Sequence, residues 1–236
     1  MPVLILGGTS DARRVAELLP GSVTSLAGRV RAPRLPPGEV RIGGFGGVAG
    51  LVGYLRSAGI TAVVDATHPF AAVMTAHAVE ACAQAGVPLA ILRRPGWTGG
   101  VRVPSLAAAA QVLPSLGSRV FLTTGRQDLA TFARLDLWFL VRSVDPPDPP
   151  VPQRMLSILD RGPFTVEGER ALMREHAIDV LVTKDSGAAA VSAKLDAARA
   201  LDVPILMIDR PPLPSGVPVV ETPVAAARFV TEVIMA

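Results

Sequence analysis

The stretch DATHPF, residues 65–70, sets one of only three histidines directly after an apolar run, ITAVV. A histidine where a strand ends can donate to a phosphate, a carboxylate or an amide, or carry a proton near neutral pH. Pro69 is equally suited to the first position of a following helix, which would make Thr67 or His68 part of its cap. No second histidine, cysteine or carboxylate recurs at ligand spacing, so no metal site is expected. A second corner, GGTSDAR at 7–13, follows another short apolar run. Gly7 and Gly8 permit a tight turn and close backbone approach, Thr9 or Ser10 can cap a helix, and the helix amino end attracts phosphate. The full GxGxxG spacing is absent, and an ordinary capped turn fits the same residues.

The next strand ends in Gly28-Arg29, with Arg31 and Arg34 close behind and no acid among them. In dinucleotide-binding folds an acid there takes the ribose 2′-hydroxyl, whereas arginine accommodates a 2′-phosphate. The pattern therefore predicts NADPH rather than NADH, against the alternative of a solvated basic loop. GGFGG at 43–47 follows a third strand; Gly44 lets backbone approach a ligand, and Phe45 can pack on a cofactor ring or fill a turn.

These corners are positioned by a pattern written twice. ITAVVDATHPFAAVMTAHAVEACAQAGVPLAILRRP (60–95) resembles IDVLVTKDSGAAAVSAKLDAARALDVPILMIDRP (178–211), each reading strand, polar corner, Ala-rich helix, Val-Pro, strand, Arg-Pro. VLILGG from Val3 resembles VFLTTG from Val120, Phe45 faces Phe164, and VPSLAAAAQVL resembles TPVAAARFVTEV. Apolar runs alternating with helical stretches imply parallel strands joined by crossovers. The expected fold is α/β, with two similar Rossmann-like halves, parallel sheets and a ligand cleft between them. The boundary is expected near 114–118, giving domains 1–116 and 117–236. In the first half, strands are expected near 3–6, 22–27, 39–42, 61–65, 88–92 and 101–103. VDPPDPPVPQR (144–154) has too many prolines for helix or central strand and reads as an extended loop. In the repeat, TKDSG lies opposite DATHP. Lys184, Asp185 and Ser186 thus occupy the second half's corner, with Arg126, Arg142 and Arg161 at the same edge.

Composition bounds the chemistry. Of 236 residues, 50% are hydrophobic and 18% charged, which suits a globular α/β chain. Cys82 is the single cysteine, excluding an intrachain disulfide. No apolar run approaches the roughly 18 residues of a bilayer span, and no signal peptide is evident, so a cytoplasmic setting without membrane contact is expected. The net charge of +3 comes almost wholly from arginine, since Lys184 and Lys194 are the only lysines. Dispersed arginines without interleaved aromatics argue for a small anionic partner and against nucleic acid.

LILGGTSDAR, the Gly-Arg at 28–29, GGFGG, DATHPFA, TTGRQ, RGPF, KDSG and the Arg-Pro at 210–211, taken in order, resemble the precorrin-6A reductases of cobalamin biosynthesis. The resemblance implies NADPH-dependent reduction of one double bond of the precorrin-6A macrocycle to precorrin-6B, by a monomer or weak homo-oligomer. With the corners read above, NADPH is expected at Gly7, Gly8, Thr9, Ser10, Gly28, Arg29, Gly44, Phe45, Thr67 and His68, and a polycarboxylate tetrapyrrole at Arg126, Arg142, Arg161, Lys184, Asp185 and Ser186. His68 is the candidate catalytic residue. The alternative from another class is a non-catalytic NADP-binding sensor.

Overall fold

The computed structural model describes residues 2–28 and 30–235. It contains two six-stranded parallel sheets. The first has the order β12-β5-β4-β1-β2-β3, from β1 (Val3–Leu6), β2 (Val23–Leu26), β3 (Glu39–Ile42), β4 (Ala62–Asp65), β5 (Leu89–Leu92) and β12 (Val219–Val220). The second has the order β6-β11-β10-β7-β8-β9, from β6 (Val101–Val103), β7 (Arg119–Leu122), β8 (Trp138–Ser143), β9 (Met155–Leu159), β10 (Val180–Lys184) and β11 (Ile205–Ile208). In each, the chain winds outward on one side of the first central strand and then on the other, as in a dinucleotide-binding sheet.

The central strands are apolar without alternation because helices cover both faces. VLIL of β1 and LAIL of β5 are buried throughout. Each fully buried Leu or Ile contributes about 1.5–3 kcal/mol relative to exposure. On one face of the first sheet, α1 (Ser10–Leu18) packs Ala12, Val15 and Ala16 beside Ala226 and Val230 of α7 (Pro223–Met235). On the other, α2 (Gly47–Ser57) and α3 (Ala72–Ala85) enclose Leu51, Leu55, Ala78 and Cys82. The second sheet is flanked by α4 (Leu106–Val112), α5 (Val166–Glu175) and α6 (Ala193–Ala200). The proline-rich segment 144–154 links β8 to its parallel neighbour β9 without a helix.

The strand positions follow the sequence reading closely, but the division at 116/117 does not hold. One compact unit comprises 1–95 and 211–236, the other 96–210. β6 and α4 complete the second sheet, and β12 and α7 complete the first. Those two segments were matched in the repeat as VPSLAAAAQVL and TPVAAARFVTEV. Each is a short valine-bearing strand before an Ala-rich helix, so either satisfies either sheet edge, and pattern alone cannot assign it. Side-chain chemistry does: Arg102 of β6 bonds Asp209 at 2.6 Å and Asp185 at 3.0 Å.

Close approach fixes one helix–turn contact. A Cβ on Gly50 of α2 would lie 1.7 Å from the Phe45 carbonyl oxygen, whereas one on exposed Gly53 meets nothing within 4 Å. Gly50→Ala is therefore expected to destabilise the protein by about 1–3 kcal/mol through overpacking, while Gly53→Ala stabilises it by up to about 1 kcal/mol. Urea midpoints of the two variants check the opposite signs.

Candidate functional site

In the first sheet the crevice at the carboxyl ends of β1 and β4 is the switch point where the winding reverses. Gly7 must lack a side chain there, since a Cβ would sit 2.7 Å from the Thr24 methyl carbon. Gly8 follows at φ +109° with open space beside it, so a ligand can approach its backbone. Thr9 caps α1 by accepting the Ala12 N–H at 3.1 Å and donates its hydroxyl to the Ala66 carbonyl at 2.8 Å, joining this turn to the end of β4. The first-turn N–H groups of α1 have no intrahelical acceptors and point at any anion placed there. Asp11 in that turn would oppose a phosphate, but Arg94 neutralises it at 3.2 Å. Ser10 is exposed at the same turn.

Gly28, at φ +72°, ends the second strand's turn, and Arg29 lies outside the described residues. Beside it, Arg41 of β3 was missed in the sequence. Its guanidinium donates to Ser25 Oγ at 2.8 Å and to the carbonyls of Gly43 and Gly44, and it lies 3.8 Å from the Phe45 ring centroid. Phe45 also meets Tyr54, with ring centroids 5.3 Å apart. One face of Phe45 is thus already covered by Arg41, and Gly44 offers its carbonyl inward. An arginine two residues before a glycine-rich turn was the available signal.

The DATHPF corner is built on Asp65, 1% exposed at the end of β4. Its Oδ1 accepts from the Thr67 N–H at 3.0 Å and the Thr67 hydroxyl at 2.7 Å, and its Oδ2 from the Thr75 hydroxyl at 2.6 Å. Thr67 is therefore committed to the corner's own structure. Helix α3 starts at Ala72, so Pro69 stands in the turn before it rather than at its first position. Arg93 fastens the turn by donating to the Pro69 carbonyl at 3.0 Å. His68 is exposed, and its Nδ1 accepts the Phe70 N–H at 3.3 Å, which leaves the ring proton of the neutral form on Nε2. Burial, aided by the Asp65 charge, pushes the Cys82 thiol up to about 12, so no thiolate chemistry arises here.

The second sheet's crevice lies at the ends of β7 and β10. Gly125, at φ +94°, turns the chain into a 3₁₀-helix, Arg126–Phe132. Arg126 donates to Asp148 at 2.8 Å and to the Pro146 carbonyl at 3.3 Å. Lys184 Nζ lies 2.5 Å from Asp128 Oδ2, an ionic contact without good hydrogen-bond alignment, and the two side chains are only 17% and 13% exposed. Arg161, the first residue of RGPF, is partly exposed.

Three residues expected to meet substrate are instead built into the structure. Arg142 is buried, paired in fork geometry with Glu169 and stacked 3.6 Å from the Phe164 ring centroid. Separating such a buried pair costs about 3–5 kcal/mol, so its guanidinium is held within the protein by Glu169 and Phe164. Asp185, 3% exposed, accepts the Trp97 N–H at 2.8 Å and pairs with Arg102 and Arg210. Buried Ser186 accepts the Ala188 N–H at 3.3 Å. The sequence signal was their position at a strand end, which does not tell an inward side chain from an outward one.

Beneath this edge Lys194 of α6 is 4% exposed, bonded to the Val191 carbonyl at 2.8 Å and 4.8 Å from the Trp97 ring centroid. Burial first, then the Arg142 charge, lowers its pKa to about 7, with Glu169 opposing. An unfolded lysine holds its proton to about pH 10.4. Between roughly pH 7 and 10 the unfolded chain therefore binds more protons, and this residue makes stability rise with pH. The stability difference between wild type and Lys194→Met should be flat below about pH 7 and then move in favour of wild type by up to about 1.4 kcal/mol per pH unit. Urea unfolding from pH 6 to 9 measures it.

The comparisons with known proteins agree with this architecture. The model of a family described as precorrin-6x reductase CbiJ/CobK matches residues 2–231. A precorrin-6A reductase of Rhodococcus erythropolis is 54% identical over 239 residues, covering 97% of this chain and 96% of the relative. A precorrin-6A reductase of Mycobacterium tuberculosis is 52% identical, with 97% and 96% covered, and a cobalt-precorrin-6A reductase of Salmonella typhimurium is 30% identical, with 96% and 94% covered. A solved structure of CobK precorrin-6A reductase superposes with a TM-score of 0.92 at 44% identity, covering 99% of this chain and 97% of that one. Both sheets and both glycine turns fall inside these matches, and the chain belongs to the precorrin-6x reductase family, CbiJ/CobK.

Proposed function

We propose that the chain reduces precorrin-6A to precorrin-6B with NADPH held at the carboxyl edge of the first sheet, and that Arg126 and Arg161 of the second meet the substrate's carboxylates. Family membership makes it an oxidoreductase of cobalamin biosynthesis. The observation that carries the choice of NADPH is the end of β2, where Ser25, Leu26, Ala27 and Gly28 offer no carboxylate to a ribose and arginines follow. The metal-free macrocycle is the preferred substrate in this reading, because the relatives at 54% and 52% identity are named for precorrin-6A and the one at 30% for cobalt-precorrin-6A.

The cradle fits a dinucleotide. Gly7 keeps the turn tight, the open side of Gly8 admits a pyrophosphate, the capped start of α1 supplies N–H donors, and Arg94 removes the repulsion of Asp11. When bound, the reduced nicotinamide supplies a hydride, and a proton must reach the neighbouring carbon of the macrocycle. Of the titratable side chains at this corner, Asp65 is buried and hydrogen-bonded and Asp11 is paired, so His68 is assigned the delivery: as the imidazolium it gives up its Nε2 proton and returns to the neutral ring.

Arg29→Ala should raise the NADPH KM by about 10-fold or more with little change in kcat, because a charge-assisted phosphate contact is made equally in ground and transition states. An NADPH over NADH preference that survives this change sinks the 2′-phosphate assignment. His68→Ala should lower kcat by about 10²-fold or more and remove one limb of its pH profile; an unaltered profile would exclude His68 as proton donor.

A further inference from the structure

Two cations at the second sheet's edge already hold a carboxylate of the protein: Lys184 holds Asp128, and Arg126 holds Asp148. Their environments differ. Lys184 and Asp128 are 17% and 13% exposed, so parting them would strand a charge out of water. Asp148 is 79% exposed and Arg126 24%, so Asp148 returns to solvent at almost no desolvation cost. Asp148 also stands between two proline pairs, Pro146-Pro147 and Pro149-Pro150. Their fixed φ angles limit how far the carboxylate can stray, and the Pro146 carbonyl takes a second hydrogen bond from the same guanidinium nitrogen. With Gln127 and Ala130, the loop encloses a pocket of about 200 Å³ around Arg126.

We propose that Asp148 is a specificity-determining residue, an internal carboxylate that occupies the Arg126 subsite until an acid side chain of the substrate displaces it. Arg126 can exchange one carboxylate for another without ever being left unpaired, whereas a neutral substituent brings nothing to replace Asp148. The loop thus discriminates in favour of a substrate bearing a carboxylate at that point, and Lys184–Asp128 remains a fixed latch beside it. The inference rests on the reading that Arg126 meets a substrate carboxylate.

Steady-state kinetics with precorrin-6A and NADPH on wild type, Asp148→Asn, Arg126→Ala and the double variant test both. Removing the competitor should lower the precorrin-6A KM about two- to fivefold, the upper figure corresponding to about 1 kcal/mol for an exposed pair, and leave the NADPH KM unchanged. Arg126→Ala should raise the precorrin-6A KM at least about 10-fold, and Asp148→Asn should then add nothing. If Arg126→Ala leaves that KM unchanged, the substrate subsite and the inference fall together. If Arg126→Ala raises it but Asp148→Asn raises it too or leaves it alone, the loop serves only as structure and the inference alone is overturned.

Discussion

The carboxylate of Asp185 is the contact on which the second unit depends. Almost fully buried at the end of β10, it accepts from the Trp97 backbone near the segment's start, from Arg102 of β6, and from Arg210 at its end. Arg210 also donates to the Asp185 carbonyl at 2.8 Å. One side chain therefore ties both ends of residues 96–210 to the middle of their own sheet. The packing leaves no room for variation: a Cβ on Gly96 would stand 2.6 Å from Asp185 Oδ2. Two arginines and a backbone N–H satisfy the charge that burial would otherwise penalise heavily. This clasp lets a strand drawn from before β7 complete the far side of the sheet, where pairing along three residues alone would hold it weakly.

The first unit solves the same problem with a different division of labour. Asp65, at the equivalent strand end, spends its carboxylate on Thr67 and Thr75 inside the corner, and Arg93 closes the turn through the Pro69 carbonyl. The N–H of Arg93 bonds to the Val220 carbonyl, which helps seat the returning strand β12. In both units an arginine just after a strand, Arg93 after β5 and Arg210 after β11, fastens the polar corner of the neighbouring strand, β4 or β10. The Arg-Pro pairs differ in duty, since Arg210 holds the corner of its unit while Arg94 pairs with Asp11, and the ligand chemistry has to come from what each corner leaves facing outward.

That distinction explains what the sequence could and could not reveal. Continuous apolar runs such as VLIL and LAIL disclosed buried parallel strands, and the residues before α1 disclosed a tight glycine turn with a Thr9 cap, because each depends on neighbours along the chain. The allocation of β6 and β12 was hidden, since both segments carry the same strand-then-Ala-helix pattern and the deciding contacts, Arg102 with Asp185 and Arg93 with Val220, join distant residues. Site residues divided in the same way. Thr9 and His68 lie at the edge, as their place at strand ends implies, but Arg142 and Asp185 occupy equally suggestive positions and turn inward. Arg41 was missed although it lies only four residues before Phe45, because its role comes from folding back to stack on that ring.

Hydride transfer gains most from holding two reacting carbons in register, an effect lost with displacements of about 1 Å. The corners here are suited to that demand because their rigidity comes from buried, fully satisfied carboxylates rather than from exposed ion pairs. Asp65 and Asp185 each accept at least three hydrogen bonds at 3% exposure or less. The exposed charges carry no such structural weight, and they can rearrange around an incoming polyanion without loosening the strands that aim it. Separating the groups that fix geometry from the exposed charges keeps a stable frame at the edge of each sheet, whatever those charges meet.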